Sequence, residues 1–442
     1  MTKTVADRSG RRWPIRVMNG ACAVAQRLGF AGARIEAGGL LDAARRKTGL
    51  KDFGHPEPIE PLGRIVDSYN REARLSPLGR VVAKNNLLRL LTARLRFEDA
   101  WKRNPAVADE PIERPIFISG LPRSGTTLLH NLIALDPEIR APLTWETMNP
   151  RLEGAPSETD DRRRAEAAQR QLRWLDRLAP EFAAIHPVGA TLPEECISIT
   201  SFSLVSPVFH TMHWAPSFEA WLTEADHEPA YRFHRRFLQW LQAGDRAAGR
   251  LRSDGAPRRW ALKAPAHLFG LAALFRVYSD ALFVQSHRDP LEVLASVSSL
   301  SASLQRAFSD FIDPAAIGRE VADRWLDGVE RSMRLREFIG ADQVCDVRYG
   351  EIVRDPIGTV ARVYGHFGLA LSEAAKDRMK AMPAERPWKI GAHRYSLEQF
   401  HLDPGEQRER FAPYRRFAGV TSSDPTPHAA PSARPAEPAL NA

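Results

Sequence analysis

The chain has 442 residues, 43% of them hydrophobic and 26% charged, and a net charge of +8. That length holds one large α/β domain with helical additions, or two domains, and the composition is that of an ordinary soluble globular protein. No run approaches the roughly 20 apolar residues needed to cross a bilayer. Three cysteines, Cys22, Cys196 and Cys345, lie far apart and are odd in number. They point to neither a disulfide framework nor a zinc cluster, and a cytoplasmic location is expected.

Residues 1–112 read as helical. Leu62 to Tyr69 and Leu87 to Leu95 carry apolar residues at helical spacing with basic residues between them. A helical cap on the following domain is expected, with peripheral membrane contact as the sharper alternative for such basic amphipathic segments. Arg11-Arg12 is not followed by a long apolar stretch with a cleavage site, so no export signal is read there. A domain over residues 113–420 follows, and a Pro-, Ala- and Ser-rich tail over 421–442 is expected to be disordered.

That domain opens with Ile116-Phe-Ile-Ser-Gly120, a short apolar strand, then a glycine-bounded loop. A helix begins near Thr126, because Leu128, Leu129, Leu132, Ile133 and Leu135 recur at helical spacing. The first amides of such a helix lack partners within it and carry partial positive charge, which suits a phosphate. Further strands are expected at Arg259–Lys263, Ala281–His287 and Gln343–Tyr349, with a helix from His267 to Tyr278. Strand–helix–strand spacing of this kind implies a parallel sheet. Residues 158–178 read as a charged helix, and the aromatic stretch 180–222 as a layer over a pocket. His210 and His213 do not make a metal site, lacking a carboxylate or cysteine nearby in sequence.

The octet Gly120 to Thr127 nearly fits the triphosphate-binding pattern G-x-x-x-x-G-K-[ST], but Thr126 stands where the lysine belongs. With Arg123, Ser124, Gly125, Thr126 and Thr127 instead, the loop suits one terminal phosphate-like group better than a triphosphate with magnesium.

Pro122-Arg-Ser-Gly-Thr-Thr127 resembles the loop with which sulfotransferases hold the 5′-phosphosulfate of 3′-phosphoadenosine 5′-phosphosulfate (PAPS). The resemblance implies a second motif, an arginine at a strand end and a serine eight residues on that hold the 3′-phosphate. Arg288 and Ser296, in His-Arg-Asp-Pro-Leu-Glu-Val-Leu-Ala-Ser, match it. Arginine suits a phosphate through paired charged hydrogen bonds, and Asp289 with Glu292 reads as a capping-box-like helix start. Asp355-Pro356 is read as another helix start.

The acceptor hydroxyl must lose a proton, so a base must lie close by. The resemblance implies Glu146, in Thr144-Trp-Glu-Thr147, with Glu194, Glu195 or a histidine as rivals. It also implies that Lys263 contacts the sulfuryl group and that Tyr349 lies near the cofactor. The segment Lys389 to Ser396 only loosely resembles the family's basic C-terminal loop and stays outside this set.

The expectation is therefore an α/β, P-loop-like parallel sheet flanked by helices, with an N-terminal helical extension. It would be a PAPS-dependent sulfotransferase acting on a hydroxyl-bearing, apolar or lipid-like acceptor, with no metal and no nucleic-acid partner. A P-loop kinase of small molecules and a non-catalytic nucleotide-binding protein are the alternatives.

Overall fold

The computed structural model of the chain describes residues 13–27, 34–154, 156–178, 189–382 and 396–420. The expected tail at 421–442 and most of the segment 389–396 lie outside the described residues. At the centre is a five-stranded sheet of order β2-β3-β1-β4-β5, with β1 at Ile116–Gly120, β2 at Ile139–Arg140, β3 at Arg259–Lys263, β4 at Leu282–His287 and β5 at Val344–Arg348. All pairings are parallel. Four of the five strands match the sequence expectation. The two-residue β2 is an addition, too short to leave a periodic signal.

Every residue of β1 is buried, as expected for a central parallel strand covered on both faces. Its side chains divide by the period of two. Ile116 and Ile118 enter a core with Leu129, Leu132 and Val360, whereas Phe117 enters the larger core with Phe97, Phe237 and Phe283. After α1 (Trp13–Arg27), the N-terminal helices α2 (Ala37–Thr48), α3 (Ile59–Arg71) and α4 (Pro77–Arg103) join that larger core. Leu62, Ile65, Leu87, Leu91 and Leu95 are all buried, so the apolar faces read in the sequence pack inward. Among the described residues no helix is long and apolar enough to cross a membrane.

The chain leaves β1 toward β2 and β3 on one side and reaches β4 and β5 on the other. At such a switch point the loops diverge, and a crevice opens beyond the carboxyl ends of the strands. Gly120, Lys263, Arg288 and Tyr349 all emerge there. The helix expected over 267–278 is in fact two pieces, a 3-10 turn at Pro265–Leu268 and a helix at Leu271–Val277, parted at Gly270. Tyr231 and His227 crowd Gly270, where a Cβ would lie 3.0 Å from Tyr231 Cε2.

Candidate active site

The loop between β1 and α5 (Thr126–Ile133) is built on two glycines. Gly120 has φ 138°, and a Cβ there would sit 2.1 Å from the Ser286 carbonyl oxygen, so β4 closes the position to any other residue. Gly125, at φ 89°, leads into α5. Arg123 also takes a left-handed conformation, φ 65°, which non-glycine residues adopt rarely. Ser124 is fully buried, and its Oγ donates to the Leu121 carbonyl at 2.6 Å. The Ser286 hydroxyl in turn donates to the Ser124 carbonyl. The loop is thereby fixed from within, and the α5 N-terminus faces the crevice with amides that have no partner inside the helix.

Lys263 ends β3 and is 2% exposed. Its Nζ donates to Thr127 Oγ1 at 3.2 Å and forms an ion pair with Glu195. A buried ammonium needs such partners. Cation, carboxylate and phosphate loop thus meet at one point. Glu194 behaves differently: it accepts from the Glu195 amide at 2.8 Å and from Ser198 Oγ at 3.2 Å. Burial pushes its carboxyl up, partly offset by that amide.

Arg288 follows β4. Its guanidinium stands 4.1 Å from the Tyr349 ring, Nη1 donates to the Arg123 carbonyl at 2.8 Å, and Nε donates to Glu292 at 2.9 Å. Glu292 therefore orients Arg288 instead of completing the capping box that the sequence suggested. The N-cap is Asp289 alone, accepting from the Leu291 amide at 3.1 Å. Ser296 lies two turns into the same helix (Pro290–Phe308) and is 9% exposed. Tyr349 begins the helix after β5, and a Cβ on Gly125 would meet its ring at 3.2 Å. The structure thus joins Arg123, Arg288 and Tyr349 beside the loop, and Lys263 to Thr127.

Glu146 lies in a separate arrangement at the sheet edge. In the short helix α6 (Thr144–Met148), its Oε2 accepts from the Leu143 amide at 2.8 Å, and its Oε1 pairs with Arg140 of β2. Arg140 also binds Asp245 at 2.9 Å and lies over the Trp260 ring. Burial works against charge on both groups. Even so, Glu146 and Asp245 raise the Arg140 pKa, and Arg140 and Arg258 hold the Asp245 carboxyl below its usual range. Sequence reading singled out Glu146 but missed Arg140, whose partners are distant in the chain.

A narrow, half-open cleft of about 30 Å³, lined by neither Lys263 nor Glu195, lies near the pair. Ala264 and Cys196, the residues next to the pair, line it, with Ile197, Val205, Leu222 and Phe269 giving it an apolar wall. Much of that wall comes from the stretch read as a layer over a pocket. Its aromatics Phe202, Phe209 and Phe218 are instead plain core. His210 pairs with Glu320 at 3.2 Å, and His213 is buried between Tyr69 and Phe308. Among the described residues there is no cluster able to hold a metal.

The fold and the glycine loop define a class. The family model described as the sulfotransferase family matches residues 115–373, more than half of the chain, and the chain belongs to that family. It is an enzyme, a sulfotransferase of the bacterial type. Among solved structures it is similar to sulfotransferase STF1 of Mycobacterium tuberculosis H37Rv, 34% identical, covering 86% of this chain and 99% of that one with a TM-score of 0.70. It is also similar to STF9 of Mycobacterium avium, 26% identical, covering 88% and 98% with a TM-score of 0.74. A curated relative, the omega-hydroxy-beta-dihydromenaquinone-9 sulfotransferase Stf3 of Mycobacterium bovis, is 24% identical over 298 residues, 64% of this chain and 71% of that protein.

Proposed function

We propose that this enzyme moves a sulfuryl group from PAPS to a hydroxyl of an apolar, lipid-like acceptor. The observation that carries this reading is the meeting of Lys263, Glu195 and Thr127 beside the glycine loop. When bound, PAPS supplies a sulfur atom open to in-line attack and a good phosphate leaving group. The residues present fit it. The loop and the α5 amides suit its 5′-phosphosulfate, and Arg288, stacked on Tyr349 and oriented by Glu292, suits a second phosphate near Ser296.

Glu195 then takes the acceptor's proton as the acceptor oxygen bonds to sulfur, and Lys263 meets the charge left on the departing phosphate oxygen. We assign the base to Glu195 and not to Glu146. Both oxygens of Glu146 are already engaged, one by an arginine that stays charged at any working pH. The partner of Glu195 is the lysine that the reaction itself calls on. The name of the curated relative gives its acceptor as a hydroxylated menaquinone derivative, which supports a hydroxyl carrier of that apolar kind here. Calorimetric titration with 3′-phosphoadenosine 5′-phosphate, ATP and AMP tests the donor. The bisphosphate should bind most tightly, and tighter binding of ATP would overturn the reading in favour of a kinase.

A further inference from the structure

Arg288 and Tyr349 form their stack just beyond the sheet. The β4–β5 ladder ends where His287 pairs with Arg348, the residues that immediately precede them. Strand pairing therefore does not itself fix where the Arg288 guanidinium and the Tyr349 ring stand. Contacts from outside the ladder must do so, because a group that grips a ligand needs a supporting layer to hold its geometry.

Part of that layer is the last described helix, Ala412–Ala418. Two of its consecutive residues hold the two chain neighbours of Arg288. The buried Tyr414 places its hydroxyl 3.0 Å from His287 Nδ1, while Asp346 of β5 engages Nε2 of the same ring at 2.8 Å. Arg415 Nη2 donates to Asp289 Oδ2 at 3.0 Å. Asp289 is fully buried, and its Oδ1 already caps the helix that carries Ser296. A carboxylate so buried needs a partner for its second oxygen as well, and Arg415 supplies it. At the end of the same helix, the Ala418 carbonyl accepts from Arg348 Nε at 3.2 Å, one residue before Tyr349. One helix thus fixes the chain on both sides of Arg288 and just ahead of its stacking partner.

We propose that Arg415, acting through Asp289, is a positioning residue for recognition of the nucleotide's 3′-phosphate. It sets the path by which the chain leaves β4, and so the place from which Arg288 reaches the ligand. This rests on the reading that Arg288 grips the 3′-phosphate. A helix more than 120 residues further along the chain than Arg288 then belongs to the donor site, although its own side chains stand behind the residues that bind.

The test is the ratio of affinities for 3′-phosphoadenosine 5′-phosphate and AMP, titrated calorimetrically on the full chain, with a thermal scan of each variant. Arg415→Ala should weaken the bisphosphate about fivefold or more, a fraction of the loss from removing Arg288 itself, and AMP much less. Asp289→Asn should lower the ratio in the same direction. It keeps the side chain's size and the cap oxygen, so it decides the matter even if Arg415→Ala does not fold. It also separates positioning from charge alone, because removing a carboxylate near two phosphates would by itself tighten the bisphosphate. In an Arg288→Ala background neither change should lower the ratio further, since residues acting through one another are not additive. An unchanged ratio in the folded variants, opposite changes in the two, or a full effect without Arg288 would overturn the proposal and leave Arg288 at the 3′-phosphate. An unchanged ratio in Arg288→Ala alone would overturn that reading itself, and this proposal with it.

Discussion

Two buried carboxylate–cation pairs flank the sheet on the β3 side, and they have opposite characters. At the edge, Arg140 holds both Glu146 and Asp245, and Glu146 also caps its own helix. One strand further in, at the end of β3, Lys263 holds Glu195 and Thr127 beside the glycine loop. The first arrangement is closed, since each charge is matched within the protein. The second has the same ingredients at the crevice beyond the strand ends, beside the glycine loop, where the proposed reaction draws on them. Buried charge pairs therefore do not mark an active site by themselves; what they face decides.

The largest expected effect breaks the edge network. Arg140→Ala leaves Glu146 buried without its cation, while Asp245 keeps Arg250 and Arg258, and should lower stability by about 3–5 kcal/mol. Differential scanning calorimetry would show it as a large fall in Tm. A small fall would mean that water or Arg258 replaces the lost partner.

Lys263→Met is the counterpart at the end of β3. It should cut sulfuryl transfer roughly 10²–10³-fold, the usual effect of losing a donor to developing charge, with a far smaller fall in Tm than Arg140→Ala produces. A variant that loses stability but keeps its turnover would make Lys263 a structural residue like Arg140.

Arg288→Ala should weaken binding of 3′-phosphoadenosine 5′-phosphate by roughly 1.5–3 kcal/mol, the range for hydrogen bonds to charged groups, and weaken AMP much less. Equal losses for both nucleotides in titration would remove Arg288 from the 3′-phosphate.

The smallest effect concerns a third pair, His210 with Glu320, which is closed like the first. Burial opposes charge on both, but Glu320 raises the His210 pKa, while His210 and Arg324 hold Glu320 at about 2, below its ordinary 4.5. The His210 contribution is complete below its ordinary 6.5 and is lost as pH rises through the raised value. The Glu320 contribution is complete above 4.5 and is lost as pH falls toward 2. The pair therefore stabilises most between those limits. Glu320→Gln should flatten the Tm–pH curve at both ends, by on the order of a degree or two.

Much of the site was legible because its elements are punctuated locally. Gly120 and Gly125 bound the loop, and Asp289 and Asp355 cap their helices as read, accepting from the amides of Leu291 and Gly358. What escaped depends on contacts between distant segments. The backbone of 142–145 bonds to that of 190–194, with Thr144 donating to the Leu192 carbonyl and the Glu194 amide to the Pro142 carbonyl. Nothing in either segment alone announces that pairing. Glu146 and Glu195 look equally available in sequence, and only the placement of Arg140 and Lys263 separates them.

That separation is tested most directly by single-turnover sulfuryl transfer with Glu195→Gln and Glu146→Gln, each preparation checked for nucleotide affinity. Glu195→Gln should lose roughly 10²–10⁴-fold in the rate of transfer, the contribution of a positioned base, with nucleotide binding near that of the unaltered enzyme. Glu146→Gln should lower Tm and leave the rate within about tenfold. A deep loss of rate in the folded Glu146 variant, with the Glu195 variant still active, would contradict the assignment and place the base at the sheet edge.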